Sequence, residues 1–450
     1  MVLAADLSMV EIRLVLAALL VVASSLELQA QPRLIMSGQG SAAAGSPTAT
    51  MSFDLGALSV EWLAPTPWFT PLITSDGRYL VAVPSPAAML SQLMIRDQVG
   101  GWVSVVPLDG HVARKVLAHP RRLELFALMT DGLVASITTE GVRPLYTCTD
   151  SRGMDLSGDG QRLVLLCDDE IVVLDSVSGA QVAGFDSLPP SVGSPVASFD
   201  GSRVLAVLGS DLVVWDVATG AIVVQGISPP LGPTESIGLN AVVAATPGRD
   251  AVLVGTSWFA IPGNYGHRAL LVDFATMVVR QSLPLLGTAC KVGVTSGCIK
   301  LTTAAFTADG RYVVAGGIDD RATPKARVQI AEVATNALVA STDAGFFASD
   351  GVSLALASAP LQPEGVTSQV SGRHVTVSWS LPATSPDVTN YVLEAGSGPG
   401  LSNLALMCVD GNETSLNVVD VPPGRYYVRV RGRNVTGLGA ASSEIVLNVS

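Results

Sequence analysis

Imidazole is scarce in this chain. Its four histidines, His111, His119, His267 and His374, stand at no spacing from a serine, a cysteine or one another that would build a nucleophile or a metal set. Asp168-Asp169-Glu170 and Asp319-Asp320 cluster oxygen donors of the kind that hold Ca²⁺. Each follows an apolar run, which reads as an exposed hairpin turn. Nucleophile elbows, phosphate-cradling loops and dinucleotide-binding glycine patterns are missing in the contexts that give them meaning. No catalytic residue, metal site or cofactor is assigned. Five cysteines are present, at 148, 167, 290, 298 and 408, without a C-x-x-C pair, so zinc is not the expectation. In an exported protein Cys290 and Cys298 would close a short loop as a disulfide, with Cys148 and Cys167 as a second, less certain pair. The aromatic group Trp258, Phe259 and Tyr265 is the candidate for contact with a sugar or peptide, against the competing role of core packing.

The elements that must position these residues are β-strands. Of 450 residues 48% are hydrophobic and 14% charged, with 44 Gly and 27 Pro, the balance of a β-rich globular chain full of tight turns and not of a disordered one. A net charge of −12 repels polyanions, and no basic stripe offsets it, so nucleic acid is excluded as a partner. Leu14 to Ala23 is an apolar run preceded by Arg13 and followed by a small, polar stretch. Its length suits a secretory signal and falls short of the roughly 20 residues that span a bilayer. Cleavage after Ala30 or near Ser25 is expected, and the chain is expected outside the cytoplasm, secreted or periplasmic, without a membrane span. Arg far exceeds Lys, a composition typical of GC-rich bacterial genomes.

A short unit recurs through the middle of the chain. Turns such as Ser75-Asp76-Gly77, Thr130-Asp131-Gly132, Gly158-Asp159-Gly160, Phe199-Asp200-Gly201, Pro247-Gly248, Ala308-Asp309-Gly310 and Ser349-Asp350-Gly351 each precede an apolar run. Asp-Gly before such a run is hairpin chemistry, because Gly accepts positive φ and Asp bonds its own backbone. In the best copies a second strand follows (Glu170 to Asp175, Asp211 to Asp216), then a Ser-Gly or Thr-Gly turn and a third strand. The pattern returns about every 40 residues, the period of a four-stranded propeller blade. Asp200 to Val204, Val213-Val214-Trp215-Asp216 and Thr219-Gly220 resemble the blade motif of WD-repeat and related bacterial propellers, although the Gly-His pair that opens a WD repeat is missing. That resemblance implies a ring of seven blades over 60–358. The long gap from Gly77 to Gly132 and the short one to Gly160 suggest an extra hairpin at Gly101 to Leu117 in one blade and a compact blade after it. A further insertion lies between Gly248 and Gly310. Residues 1–30 are read as the signal and 31–59 as a linker or a source of a ring-closing strand.

After Ala359-Pro360 the pattern changes. Val375 to Trp379, Tyr391 to Glu394 and Tyr426 to Arg431 are separated by turn-rich stretches, and 359–450 resembles a fibronectin type III domain. The resemblance makes Trp379 and Tyr391 buried landmarks and puts Tyr426, Val428 and Val430 on one inward face. No Arg-Gly-Asp triplet is present. The fold expected is therefore all-β, a propeller followed by an immunoglobulin-like sandwich. The function expected is a non-catalytic binding or scaffold protein, monomeric, that presents rim loops to a protein or glycan. The alternative is a secreted propeller enzyme acting on polysaccharide, which would need acid-base groups, such as paired carboxylates, converging on the central channel.

Overall fold

A computed structural model of the chain describes residues 33–38, 49–54, 59–63, 69–74, 77–84, 91–97, 103–120, 124–138, 141–168, 170–185, 188, 192–260, 264–285, 290–291, 299–319, 325–347, 352–434 and 436–450. Among these there are strands and turns but no helix. The expected signal segment and Cys298 lie outside the described residues, as do the side chains of Trp258, Phe259, Tyr265 and Cys290.

One sheet, made by Arg162–Cys167 and its neighbours, shows why these residues form a blade. Leu163 to Leu166 and Ile171 to Leu174 are buried in succession, because the two middle strands of the sheet are covered on both faces by adjoining sheets. Such strands read as unbroken apolar runs and not as strict alternation. The turn that precedes them is stapled at both ends. Ser157 Oγ accepts the backbone N–H of Arg162 at 2.9 Å and donates to Asp159 at 2.6 Å, while Gly160, at φ 77°, donates its N–H to Ser157 O. Ser198 and Thr307 make the same set of bonds in other sheets, and Thr246 makes a variant of it in which its hydroxyl donates to Asp250, four residues on. The third strand ends in an acid that caps the next turn: Asp175 accepts from Ser178, Asp216 from Thr219 and Asp273 from Thr276. Asp216 belongs to the Trp215-Asp216 pair, and Trp215 packs inward on Phe185 with ring centroids 6.2 Å apart.

In chain order the sheets are formed by Phe69–Ile73 to Val103–Pro107, Ala113–Ala118 to Gly141–Thr147, Ser151–Leu156 to Gln181–Phe185, Val196–Ala197 to Ile222–Gln225, Glu235–Ala245 to Val279–Leu283, and Ile299–Phe306 to Ala337–Phe347, each an antiparallel path of four strands. One more sheet joins distant parts of the chain: Val352–Ala357 pairs with Arg33–Gly38, which continues to Ala49–Asp54 and Ser59–Leu63. The segment 31–59, read as linker or closing strand, thus contributes two of those strands. Contacts run from Val352–Ala357 to Phe69–Ile73 and on through the first strands of the successive sheets, except that Glu235–Ala245 is reached from the second strand Arg203–Leu208 beside the two-residue Val196–Ala197, and they return from Ile299–Phe306 to Val352–Ala357. That closed cycle of inner strands of blade-like sheets is the geometry of a β-propeller.

Two expectations change here. Thr130-Asp131-Gly132 does not join the first and second strands of its sheet but the second and third, Leu125–Met129 and Leu133–Thr138. The first turn of that sheet runs from His119 to Glu124, whose backbones bond at 2.8 Å. The expected extra hairpin is therefore absent: Val103–Pro107 ends one sheet, Ala113–Ala118 starts the next, and the uneven spacing arises because Thr130-Asp131-Gly132 is the second turn of its sheet and not the first.

Beyond Ala359 two further sheets face each other. Glu364–Ser371, His374–Ser380 and Ser415–Val418 form one, and Ala405–Asp410, Asn390–Gly396 and Gly424–Asn434 with Ile445–Val449 form the other. Trp379 and Tyr391 meet edge to face, centroids 5.2 Å apart, inside a core that includes Val428 and Val430. Tyr426 leans on this core and donates its hydroxyl to Pro422 O at 2.8 Å.

Candidate functional site

The turns between first and second strands gather around one mouth of the ring, where a cavity of about 440 Å³ opens. Its wall takes Leu72, His119, Asp155, Phe199, Arg249 and Phe306 from successive sheets, and the sandwich loop 383–386 closes over it from the other domain. Most of the lining is apolar. The charged part is a single corner, created by two departures from the repeat.

Aligning the turns on their Ser or Thr puts Leu72, Val196, Ala244 and Ala305 two residues earlier, where Asp155 stands in its own sheet. The same alignment puts Gly77, Gly160, Gly201 and Gly310 three residues later, at φ values of 67–77°. Arg249 occupies that place in its sheet at φ 51°, a conformation that costs a residue with a Cβ about 1–2 kcal/mol. The two exceptions find each other. Arg249 Nη1 lies 2.6 Å from Asp155 Oδ2 and also donates to Ala197 O at 2.8 Å, while the N–H of Ala197 donates to Asp155 at 2.9 Å. Three consecutive sheets are tied by one guanidinium, across the sheet whose innermost strand has only 2 residues. With side chains 19% and 17% exposed, the pair is shielded enough that removing one partner would strand the other. Lys115, on the preceding sheet, completes the corner. Burial pushes its amine down, Asp155 draws it up and Arg249 pushes it down again, with a net lowering.

Elsewhere on the rim, Ala251–Ala260 and Asn264–Asp273 are 10 residues each, where the equivalent strands Arg203–Leu208 and Asp211–Asp216 have 6. Four more residues per strand extend the hairpin by about 13 Å. Its tip pairs Phe259 with Tyr265 and Trp258 with Gly266, so the backbone brings the three aromatic positions together. Tyr265 also pairs with Cys290. Lower on this arm Glu235 accepts from Thr256 and from two nitrogens of Arg268. Burial alone would raise the Glu235 carboxyl, but these donors hold it below its usual range. Ser257 Oγ and His267 Nδ1 lie 2.9 Å apart, a cross-strand Ser–His pair that sequence spacing does not reveal because only hairpin register creates it.

The remaining candidates are dispersed. His111 meets Asp131 at 2.6 Å on the rim, His119 is buried against Phe126, and His374 starts a sandwich strand. Asp168 sits in a turn beside Arg152, 3.6 Å away. Among the described residues no three potential ligands group around a point that would hold a metal ion. Cys148 and Cys167 form a disulfide, and Cys408 is free and exposed. No helix among the described residues is long and apolar enough to cross a membrane.

Fold and site together define an all-β protein with a propeller ring and a C-terminal β-sandwich. Residues 361–448 match the fibronectin type III domain, and that part of the chain is such a domain. No curated protein matches the chain. Among solved structures it is similar to the dihydro-heme d1 dehydrogenase NirN in complex with DHE, at 17% identity and a TM-score of 0.43, over 69% of this chain. The match spans 63% of that protein's length.

Proposed function

We propose that the chain is an exported binding or scaffold protein, secreted or periplasmic, in which a seven-bladed ring presents a rim arm to a protein or glycan and the fibronectin type III domain adds a second surface. The overlong hairpin Ala251–Ala260 and Asn264–Asp273, with Trp258, Phe259 and Tyr265 at its tip, carries this reading. A rigid ring supports it, and aromatic positions on a projecting hairpin supply flat apolar contact at low entropic cost. Glu235 and Arg268 brace the arm at its root. One path of four strands for each blade, the distant closing sheet included, supports the blade count.

A polysaccharide-cleaving enzyme would need acid-base groups facing a substrate in the channel. The carboxylate described at the mouth, Asp155, is already held by Arg249, which favours the binding reading. The decisive experiment is a glycan and secreted-protein array with the mature chain and with Trp258→Ala. A hit that is lost in the variant while its melting temperature is kept supports the arm. A hit that survives in the variant, or glycan cleavage by the wild type, overturns the reading.

A further inference from the structure

We propose that two copies of the chain pair through the free edge of the fibronectin type III sheet, strand Ala405–Asp410 running antiparallel to its own copy, with Cys408 of each facing the other across the two-fold axis. Among the described residues that strand is bonded on one side alone, to Asn390–Gly396. In an antiparallel sheet the N–H and C=O of one residue point to the same neighbour, and successive residues alternate. Val430 exchanges bonds with Ser442, and Gly432 O accepts the N–H of Gly439, so the even positions of Gly424–Asn434 face away from Asn390–Gly396. Its odd positions therefore bond Glu394 and Val392, while Leu393 and Tyr391 bond Met407 and Val409. Leu406, Cys408 and Asp410 are left with backbone groups directed out of the sheet.

The occupant follows from what this edge lacks. Native sheets blunt an open edge with charge, proline or a bulge. Leu401 to Val409 has no charged residue and no proline, and Leu404, Leu406 and Met407 are exposed there, Leu406 at 65%. A chain of net charge −12 repels its own copy on average, and along this edge neither copy brings a charge. Two identical strands run antiparallel are self-complementary, as a two-fold contact requires. Bonding every outward group, Leu406 to Asp410 of the second copy and Cys408 to Cys408, sets the axis at a free and exposed thiol. A bonded pair of this kind holds its Cα atoms about 5.5 Å apart, inside the range of about 4.4–6.8 Å that a disulfide spans. A few paired residues bury far less than the roughly 1,200 Å² of a stable interface, so association alone is transient and the disulfide locks it. The monomer expected from the sequence is then the reduced form. Locking takes an oxidant: two protein thiols and one glutathione disulfide give one protein disulfide and two molecules of glutathione, whose sulfurs take up both protons.

The test oxidises the full chain in a glutathione redox buffer, reads dimer on non-reducing gels and maps the linkage by mass spectrometry, for the wild type, for Leu406→Pro and for the double variant Leu406→Cys with Cys408→Ser. Proline at 406 removes an N–H that the domain's own sheet does not use. In the double variant the two new thiols would lie about 13 Å apart along the paired strands, too far to join. The expectation is a Cys408–Cys408 dimer in the wild type, formed at least about tenfold faster than the dimer of either variant once rates are normalised to each thiol's reaction with a small-molecule disulfide. A wild type that does not link, a wild-type linkage that lacks Cys408, or a folded variant that links as fast as the wild type overturns the proposal. Circular dichroism melts report whether the variants fold. Should Leu406→Pro not fold, the double variant decides alone, because random collision would link its thiol, at the more exposed position, at least as fast.

Discussion

At the scale of residues, the informative positions are those where a repeat breaks its own rule. Arg249 accepts a backbone strain that glycine avoids in four other turns, and its guanidinium bonds Asp155 and Ala197 in return. Asp155→Asn would leave Arg249 and Lys115 facing each other without a carboxylate, and should lower unfolding free energy by about 2–4 kcal/mol in a denaturant titration. Arg249→Gly should cost less, about 1–2 kcal/mol, because it relieves the left-handed backbone as it removes the bond. The opposite ranking would refute the view that Asp155 is the hub of the corner. Gly160 follows the rule strictly: at φ 77° an added Cβ would lie 2.4 Å from His119 Nε2. Gly160→Ala should destabilise by about 2–4 kcal/mol through strain and overlap together. Half of the corner was readable in advance. Pro247-Gly248-Arg249-Asp250 carries its glycine one place early, and Asp155 is an acid two residues before its turn serine, where Leu72, Val196, Ala244 and Ala305 are apolar, yet nothing in their 94-residue separation announces that they meet. Only ring closure brings their sheets to a common axis.

Elements repeat because the sheets of Ser151–Leu156 and Val196–Ala197 solve the same hydrogen-bond problem twice, once at the Ser-x-Asp-Gly turn and once at the acid that ends the third strand. Both turns use local chemistry, which is why hairpins such as Arg162–Cys167 with Glu170–Asp175 could be read straight from the chain. The sheet of Ala113–Ala118 evaded that reading: its first turn lacks Asp-Gly, and the only such signal in it belongs to the following hairpin. Asp273 shows what the second turn contributes. Burial would raise its carboxyl, but hydrogen bonds from Arg280 and Thr276 bring it down to about 2. Its unfolded pKa is near 3.8, so it binds protons more readily when unfolded. The native state gains about 2 kcal/mol from it at neutral pH, and loses that gain as pH falls from about 4 towards 2. Asp273→Asn should therefore flatten the acid limb of the stability curve in that window. An unchanged limb in the variant would show that the Arg280 contact contributes nothing.

For the whole molecule, stability rests on junctions between neighbouring sheets. Cys148 follows the last strand of one sheet and Cys167 ends the second strand of the next, so their disulfide crosses a blade boundary. Closing a loop with a sequence separation of 19 should be worth about 3 kcal/mol by the chain-entropy account. A strong reductant, or the double substitution to serine, should lower the denaturant midpoint accordingly, and no shift would mean that packing at this boundary suffices alone. The two-domain plan was legible because Trp379, Tyr391 and Tyr426 fall in a distinctive order, whereas the meeting of the loop 383–386 with the ring mouth was not, since contacts between domains leave no periodicity in either. The sheet that joins Val352–Ala357 to Arg33–Gly38 has a temporal consequence. While the polypeptide emerges from its N-terminal end, those early hairpins have no neighbour to complete them until nearly the entire ring has been released. Such a topology postpones its last fold step to the far side of any pore it is threaded through, and it leaves a window in which a chaperone that shields bare strand edges would raise the yield.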